Sequence, residues 1–536
     1  MKPFSQCHQR FFLAFVATLT LLILITAATA RAASMAIPNG DVAALIAAVN
    51  AANATPEEDT IVLAANGRYV LATPYEAYGQ TGLPTVTGPL TIEGNGAAIA
   101  RDGLAGKLRI LLVAPGASLT LTGVTLENGY ANYGGAIYNN GLLTVNSCML
   151  TGNRAEYAGG AVFNTGGGTT TIINGTVTGN QSVSGYGGAI VSEEGTLVIS
   201  HATFTHNRAP ANNGGALWLH SFVHDHDETF IDGSTFAYNS SSSDGGAIFN
   251  YAADLYITNS TFSGNTVSAG WGGAIANIWY AQTFLTSCSV IDNHAMHAAA
   301  VVMDATSTLT LAGTLLAVDH PPDDICHGGT IVAGLDSNLA TDASCGVAYM
   351  GYGDLHLGPL GDNGSPTLTH GLQPGSRAID YIPPAAAAGL PDHDQRHLSR
   401  PVDADNDGNA FFDVGAFEHE PVLAIDVQPK DPNNIIRLAD KHFDVLVKGA
   451  AGFDPMALTA AEMAETTVLF GTAGETPAEN LTLPNKLAAH QVNNGLLLHF
   501  HTADAGFVVT DQEACLTLQL ADGRQLRGCD AVAIRK

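Results

Sequence analysis

Residues 133–153 read YGGAIYNNGLLTVNSCMLTGN, and residues 158–180 repeat the pattern as AGGAVFNTGGGTTTIINGTVTGN. A Gly-Gly pair opens each copy and an Asn closes it. The pairs begin at Gly134, Gly159, Gly187, Gly214, Gly245 and Gly272. The closing residues are Asn153, Asn180, Asn207, Asn239, Asn265 and Asn293. Self-similarity at a spacing of 25 to 31 residues indicates stacked copies of one supersecondary unit.

Apolar residues occupy fixed positions relative to each closing Asn. Three residues before it stand Leu150, Val177, Phe204, Phe236, Phe262 and Val290. Thr and Ser alternate with these apolar positions, and a period of two is typical of strands with one buried face. The pattern predicts three short strands per repeat, with Gly in the tight corners and Asn in left-handed corner positions.

One such unit cannot bury its apolar face alone, so the copies must stack into a solenoid with a continuous core. The spacing predicts a parallel β-helix, an elongated rod in which equivalent side chains lie about 4.8 Å apart in successive coils. The Ala-rich stretch GDVAALIAAVNAANA before the repeats predicts a helix, N-capped by Asp41, that covers the open end of the core. We interpret the Asn column as a ladder at a turn rather than a ligand site.

Composition and the N-terminus indicate export. The 536 residues carry 21 Lys and Arg against 49 Asp and Glu, a net charge of -28, which excludes nucleic acid and anionic lipid as partners. Two early basic residues, an apolar run over 11–25 and two A-x-A sites predict a signal peptide over residues 1–33. The alternative is a membrane anchor, but the run is shorter than the roughly 20 residues that a spanning helix needs. We expect a secreted, extracellular or cell-surface protein, with no transmembrane segment in the mature chain.

The cysteines fall into two groups. Two pairs flank short loops and are plausible disulfides, which exported proteins permit: Cys326 with Cys345, and Cys515 with Cys529. Cys148 and Cys288 occupy one column five repeats apart, roughly 24 Å at the strand spacing. That distance exceeds the limit of about 7 Å between the Cα atoms of a disulfide, so we expect buried free thiols.

Several segments resemble known families. The repeats resemble the right-handed parallel β-helix family of exported bacterial proteins and the GGAI-type repeats of polymorphic outer-membrane proteins. The opening NGDVAALIAAVNAANATPEEDTIVLAANGRYVL is similar to the N-terminal region of proteins with a CSLREA motif. GDLHLGPLGDNGSPTLTHGLQPGSRAID and DQRHLSRPVDADNDGNAFFDVGAFE resemble the choice-of-anchor Q domain. These resemblances imply an exported, surface-associated protein.

We therefore expect an all-β chain: a right-handed parallel β-helix solenoid with an N-terminal capping helix, followed by a small C-terminal β-sandwich-like domain. The predicted boundaries are a signal peptide over 1–33 and the capped β-helix over 34–310. A choice-of-anchor Q-like region over 311–420 completes the solenoid, and a β-rich domain occupies 421–536. The composition shifts at this last boundary, where half of the mature Lys and Arg follow residue 421.

An acidic stretch, DADNDGNAFFDVGAFE, is a candidate calcium site. Asp403, Asp405 and Asp407 alternate before Gly408, which gives hard oxygen ligands at positions 1, 3 and 5 of a loop that turns sharply at position 6. Asp413 or the nearby Glu418 replaces the acid that an EF-hand places at position 12. The ion would have a structural role. The alternative is an acidic turn without metal.

Aromatic residues beside the Gly-Gly pairs are candidate ligand-binding residues. They are Tyr133, Tyr157, Tyr186 and Trp271 in one column and Trp218 in a second column that also holds Tyr138, Phe163 and Phe249. Stacked rings on a long flat face can hold a glycan chain. The alternative, a ladder of rings packed at a corner, is favoured at this point.

The repeats hold few acids, and this argues against catalysis. A glycoside hydrolase needs two carboxyl groups about 5 to 9.5 Å apart. In the coils only Asp225, Asp227 and Glu228 cluster, on a loop that breaks the repeat. We expect a non-catalytic, adhesin-like monomer that presents a surface to an extracellular polysaccharide or a surface protein, and we assign no catalytic residue. The alternative is a polysaccharide lyase or glycoside hydrolase on the same fold.

Overall fold

The structure of the chain is a computed structural model. It describes residues 32–76, 80–221, 227–319, 324–334, 337–404, 409–420, 424–431, 433–440, 442–449, 467–472, 481–482, 490–492, 495–501, 513–519 and 525–535. The predicted signal peptide lies almost wholly outside these residues. Two compact units make up the chain, a first unit of Met1–Val198 and a second unit of Ile199–Lys536.

The first unit begins with a strand and the predicted helix. The helix, Val42–Ala52, begins after Asp41, whose side chain accepts a hydrogen bond of 2.8 Å from the backbone N–H of Ala44. Its buried residues are Leu45, Ala48, Val49 and Ala52. This apolar face packs on the first strands of the unit, so the helix covers the end of the core as expected.

Parallel strands of the first unit form four sheets, here called sheets 1 to 4. Sheet 1 contains Ser34–Ile37, Asp59–Leu63, Pro89–Glu93, Ser118–Thr122, Leu142–Asn146 and Thr169–Ile173. Sheet 2 contains Leu111–Val113, Ile137–Asn139, Val162–Thr165 and Ile190–Glu193. Sheet 3 contains Arg68–Leu71, Ala98–Arg101, Thr125–Glu127, Met149–Thr151 and Thr176–Thr178. Sheet 4 contains Tyr130–Tyr133, Arg154–Ala158 and Gln181–Ser182. The strand Thr196–Ser200 includes the boundary of the two units.

In the second unit the same four kinds of strand recur. Sheet 1 strands are Glu228–Asp232, Asp254–Thr258, Gln282–Thr286, Thr308–Ala312 and Thr330–Ala333. Sheet 2 strands are Leu217–His220, Ile248–Tyr251, Ile275–Ile278, Val301–Met303 and Cys326–His327. Sheet 3 strands are Thr203–Thr205, Thr235–Ala237, Thr261–Ser263, Ser289–Ile291, Leu315–Ala317, Leu339–Ala340 and Ala348–Tyr349. Sheet 4 strands are Arg208–Ala209, Ser240–Ser241 and Thr266–Val267.

The regular coils therefore have four strands, where the sequence pattern predicts three. The additional strand is the sheet 4 strand that follows each closing Asn. In several coils it is only two residues long, as in Gln181–Ser182 and Thr266–Val267. A segment of two residues cannot display a period of two, so the pattern gives no sign of it.

The predicted column of stacked core residues is present. Phe204, Phe236 and Phe262 are fully buried. The rings of Phe204 and Phe236 lie 4.7 Å apart at 9°, and those of Phe236 and Phe262 lie 5.0 Å apart at 5°. These separations match the strand spacing of about 4.8 Å, which confirms that equivalent side chains stack in successive coils.

The closing Asn residues form a buried ladder through their side chains. The Asn265 Nδ2 donates to the carbonyl oxygen of Phe236 and to Asn293 Oδ1, both at 2.8 Å, while Asn265 Oδ1 accepts from Asn239 Nδ2 at 2.9 Å. The expectation that Asn itself adopts the left-handed conformation is wrong. The residue before each Asn does so, with positive φ at Gly152, Gly179, His206, Tyr238, Gly264 and Asp292. The Asn is needed for its amide, which satisfies buried backbone groups at the corner.

The cysteines divide as the sequence indicates. Cys148 and Cys288 are buried and free, and burial raises the pKa of their thiols to about 11 and about 12. Cys326 and Cys345 form a disulfide. Cys515 lies opposite Cys529 on paired antiparallel strands, but the Cys529 side chain is outside the described residues, so this bridge stays a prediction.

A segment after the solenoid strands covers the outer face of sheet 3 in the second unit. It contains a 3-10 helix, Tyr352–Leu355, and an antiparallel hairpin of Leu357–Gly361 and Thr369–Leu372. The Thr261 hydroxyl donates to Gln395 Oε1 at 2.7 Å, and the Thr235 hydroxyl donates to the carbonyl of Leu368 at 2.6 Å. Outward threonines of this face are consequently buried.

The last part of the chain is antiparallel and has its own core. One sheet contains Ala424–Val427, His442–Gly449, Gly495–His501 and His490–Val492. The other contains Leu481–Thr482, Thr467–Thr472, Glu513–Gln519 and Gln525–Ala531, and a parallel pair joins Ile435–Arg437 to Ala533–Arg535. Val445 and Leu498 from the first sheet share one buried cluster with Leu516 and Leu526 from the second. The predicted fold class, a parallel β-solenoid followed by a β-sandwich-like domain, is confirmed. Within the described ranges no helix has the length and hydrophobicity to span a bilayer.

Candidate functional site

Three predicted tyrosines lie exposed beside the Gly-Gly corners of the first unit. Tyr133, Tyr157 and Tyr186 are 41%, 48% and 38% exposed. Tyr133 ends one sheet 4 strand, Tyr157 lies in the next, and Tyr186 forms a parallel bridge with Ala158. The rings of Tyr133 and Tyr157 lie 5.6 Å apart and are tilted by 47°. Each of the three side chains is partly accessible to solvent. We call these residues the tyrosine row.

The first glycine of each Gly-Gly pair fixes the corner that carries the row. Gly134 has a φ of 56°, and a Cβ there would collide with the carbonyl oxygen of Ile137. No other residue fits this left-handed, crowded position. The chain consequently turns tightly enough for the Tyr133 ring to approach Phe163 at 5.1 Å.

A buried arginine that the sequence did not single out supports this corner. The Arg109 guanidinium donates to the carbonyl of Tyr133 at 2.8 Å and to that of Gly134 at 3.1 Å. It also lies 4.9 Å from the ring centroid of Tyr138, a cation–π distance. Arg109 stands before the first regular repeat, so no column of the alignment could reveal its role.

The two predicted tryptophans are packed instead of open. Trp218 and Trp271 are half-buried against a cluster of Phe249, Ala276, Ala298 and Val302. Trp271 also contacts two imidazoles, His297 at 4.4 Å and His327 at 4.9 Å between ring centroids. For these two residues the geometry matches the corner-packing alternative, whereas the tyrosine row is open to solvent.

Asp413 and Glu418, at the end of the acidic stretch, lie in a buried polar cluster. The backbone N–H of Asp413 donates to Glu418 Oε2 at 3.0 Å, and Arg400 Nε lies 3.7 Å from the same oxygen. Burial raises the pKa of Asp413 well above its usual range, and the neighbouring Glu418 adds to the effect. Burial also raises the pKa of Glu418, to about 7, although Arg400 opposes the shift. Perturbed carboxyls often mark functional sites, but these have no exposed surface.

Structural hydrogen bonds account for this cluster. The carboxylate of Asp413 accepts from the backbone N–H groups of Asp380 and His419. Asp394 accepts from Arg396 Nε at 2.8 Å and from the backbone N–H of Glu418 at 3.1 Å. These bonds tie the segment to itself beneath the surface.

The structure describes two of the four predicted calcium ligands, Asp403 and Asp413. Asp403 is half-buried, while Asp405 and Asp407 lie outside the described residues. Asp413 turns into the buried cluster, away from an ion in the loop. The Asp380 carboxylate accepts from the backbone N–H of Ala404 at 2.9 Å and of Phe411 at 3.2 Å, which fixes both ends of the loop. Among the described residues no three His, Cys, Asp or Glu side chains converge as metal ligands, and the calcium site stays a prediction.

Two acidic residues on the coils lie closer to each other than we expect from the sequence. Glu228 and Asp254 are register partners on adjacent sheet 1 strands. Each stands eleven residues before its closing Asn, so an alignment on that column could have found the pair. Two residues further along the same strands, the Phe230 and Tyr256 rings stack at 5.2 Å. Asp225, which was expected in this cluster, lies outside the described residues.

Comparisons with known proteins found one repeat family and one solved structure to which the chain is similar. The family model of the Chlamydia polymorphic membrane protein repeat matches residues 233–251 and 259–278. Among solved structures, the crystal structure of pectate lyase Pel9A aligns with a TM-score of 0.42 and 14% identity, over 74% of this chain and 98% of that one. No curated protein sequence matches the chain. The repeat match covers a small part of the chain, and the structural likeness concerns the fold and says nothing about activity.

Proposed function

We propose that this chain is an exported, non-catalytic surface protein of adhesin type that binds an extracellular polysaccharide. The observation that carries the proposal is the tyrosine row, three tyrosines that are each 38–48% exposed along successive coils. A tyrosine ring offers an apolar face and a hydroxyl, which suits the alternating C–H and O–H groups of a sugar.

Two features support a surface location. The match to the Chlamydia polymorphic membrane protein repeat relates two coils to repeats of a membrane protein family. The Cys326–Cys345 disulfide suits an oxidising compartment outside the cytosol. We further propose that residues 1–33 are a signal peptide and that the protein is a monomer.

The net charge of the chain restricts the chemical class of its partner. With a net charge of -28, the protein repels acidic polysaccharides as well as nucleic acid, so a neutral polymer is the favoured ligand. The alternative partner is a surface protein, which would contact the same three tyrosine rings.

We also propose that residues 311–420 are a choice-of-anchor Q-like region that joins the solenoid to the C-terminal domain. The support comes from Gln395, whose buried amide donates to Thr235 Oγ1 at 3.1 Å and to Thr367 Oγ1 at 2.8 Å. These bonds hold the region on sheet 3 of the second unit. We also propose that the N-terminal region is of the CSLREA type. This proposal rests on the sequence resemblance alone.

A structural calcium ion in the loop of Asp403, Asp405 and Asp407 belongs to the proposal. Hard oxygen ligands at alternate positions suit calcium, and the ends of the loop are already held by Asp380. Calcium should raise the thermal midpoint of the protein relative to a chelator, and Asp405→Asn should remove the difference. Equal midpoints for the wild type with calcium and with chelator would contradict calcium binding.

A glycan array tests polysaccharide binding. We expect the full chain to give signals on neutral glycans that are lost in the triple variant Tyr133→Ala, Tyr157→Ala, Tyr186→Ala. Tyr238→Ala is the matched control, since Tyr238 is 49% exposed but lies outside the row. A triple variant that folds and binds like the wild type, or a wild type without any signal, would refute the proposal.

The enzyme alternative has one observation in its favour. Strand spacing places the Cα atoms of Glu228 and Asp254 about 4.8 Å apart, compatible with the carboxyl separation of about 5 to 5.5 Å in retaining glycosidases. Release of new reducing ends by the wild type but not by Glu228→Gln would establish this alternative. Our proposal predicts no release by either protein.

A further inference from the structure

A turn of the second unit carries two exposed aromatic residues that the tyrosine row does not include. Trp279 and Tyr280 connect the sheet 2 strand Ile275–Ile278 to the sheet 1 strand Gln282–Thr286. Their φ angles are 64° and 61°, in the left-handed region that bulky residues rarely adopt. The same corner of other coils holds glycine, alanine or a polar residue, as in Gly166–Gly167, Ala252 and Glu194. Two large rings at a disfavoured backbone position point to a role for the rings themselves.

The backbone of this turn is held by the next coil. The Trp279 N–H donates to Asp304 Oδ2 at 2.7 Å, and the Tyr280 N–H donates to Thr306 Oγ1 at 2.9 Å. Asp304 Oδ1 accepts in turn from the Thr306 N–H at 3.0 Å and from the Ser307 hydroxyl at 2.8 Å. These bonds use backbone groups, so the turn does not depend on the identity of the two side chains.

The two rings form an open corner. Their centroids are 5.9 Å apart and their planes meet at 84°, with Trp279 49% and Tyr280 50% exposed. The Tyr251 ring lies parallel to Trp279, at 6.3 Å and 5°. A single group can therefore lie within about 6 Å of both the Trp279 and the Tyr280 centroid, the range of a cation–π contact.

Charge favours a cation as the occupant. Aromatic faces are electron-rich. The Asp304 carboxylate accepts a hydrogen bond from the backbone N–H of Trp279, so a negative charge lies close to this turn. Partial burial raises the pKa of Asp304, but hydrogen bonds from Trp279, Ser307 and Thr306 outweigh this, so its pKa lies below the ordinary value and it stays ionised. The hydrogen bonds already made by Asp304 leave less acceptor capacity for the hydroxyls of a neutral sugar. The net charge of -28 adds a general attraction for cations.

We propose that Trp279 and Tyr280, on the turn whose backbone the Asp304 carboxylate holds, form a site for a quaternary ammonium group such as the choline head. The site is separate from the tyrosine row and does not depend on polysaccharide binding. With two rings and substantial solvent exposure, its affinity is low, and binding is expected at tens of millimolar or weaker, as two exposed cation–π contacts provide.

Titration of the full chain with choline chloride, followed by tryptophan fluorescence and by saturation-transfer NMR of the N-methyl groups, tests this site. The ionic strength is kept constant with sodium chloride. The uncharged analogue 3,3-dimethylbutan-1-ol has the same shape and should bind at least about tenfold more weakly, since it lacks the cation–π attraction. Trp279→Asn and Tyr280→Asn should each weaken choline binding by about two- to fivefold. Asn suits a left-handed position, so both variants should fold.

The matched control is Tyr238→Ala, which removes an equally exposed tyrosine, also at positive φ, from another corner. Choline binding should be unchanged in this variant. The proposal is overturned if choline does not bind, if the uncharged analogue binds equally well, or if Trp279→Asn binds choline like the wild type. A neutral oligosaccharide that perturbs Trp279 when choline does not would also overturn it.

Discussion

The stacked phenylalanines of the second unit give the sharpest test of the fold. Phe236 is fully buried and lies between two parallel rings, at 4.7 Å from Phe204 and 5.0 Å from Phe262. Phe236→Ala removes a core side chain and leaves a cavity, which costs about 3–5 kcal/mol. Loss of two ring pairs, each worth about 0.5–1.5 kcal/mol, places the expected value in the upper half of that range.

Phe230 provides the control from the same solenoid. It is 40% exposed and stacks with Tyr256 on the outer face of sheet 1. Phe230→Ala should cost no more than about 1–2 kcal/mol, because solvent already reaches the ring and one pair is lost. Both variants are compared in guanidinium chloride, with the solenoid transition followed by far-UV circular dichroism. Equal losses for Phe236→Ala and Phe230→Ala would refute the stacked, dry interior.

Three further predictions concern buried polar groups. Asn265→Ala should destabilise the solenoid by about 2–5 kcal/mol in the same assay, because several buried backbone and amide groups lose their partner at once; a loss within error of zero would contradict the ladder. The pKa of His201 is lowered by burial and by the neighbouring His397, so this residue stabilises the fold above about pH 6.5 and the contribution is lost as the pH falls. The thermal midpoint should therefore decrease from pH 7 to pH 5, with a smaller slope in His201→Asn; an unchanged slope would contradict this role. Cys148 and Cys288 should resist thiol reagents in the native protein and react after unfolding, as mass spectrometry can show; modification of the native protein would contradict their burial.

Local periodicity explains why most of the solenoid is predictable from the sequence. Each Phe of the core column lies three residues before its closing Asn. The Phe column and the Asn column are both recognisable in the sequence, although the coils differ in length. The residue conformations at the corners are less predictable. The repeat predicts a left-handed Asn, whereas Gly152 and Gly264 take that role and the Asn side chain bonds across the coils.

Contacts between distant segments have no local signal. Thr261 and Gln395 are 134 residues apart, and only the folded chain shows that their hydrogen bond covers sheet 3. The packing of Trp271 has no local signal either. In the repeats Trp271 lies in the same column as the exposed tyrosines, but in the structure His297 and His327 pack against it. Exposure of an aromatic ring depends on these neighbours, so the sequence alone could not separate the exposed tyrosine row from packed corners.

An outward pair such as Trp279 and Tyr280 was missed for a different reason. Aromatic residues favour strands, so nothing in the identity of these two residues indicates a strained turn. Their left-handed angles and their exposure appear only in the structure.

The central claim is that the protein binds a polysaccharide through the tyrosine row without cutting it. The most direct test mixes the full chain with a neutral insoluble polysaccharide chosen from the glycan array, measures co-sedimentation, and then determines the length of the recovered polymer by size-exclusion chromatography. The account predicts co-sedimentation of the wild type, loss of it in the triple variant of Tyr133, Tyr157 and Tyr186, and a polymer of unchanged length. A shortened polymer, or a triple variant that still co-sediments, would contradict it.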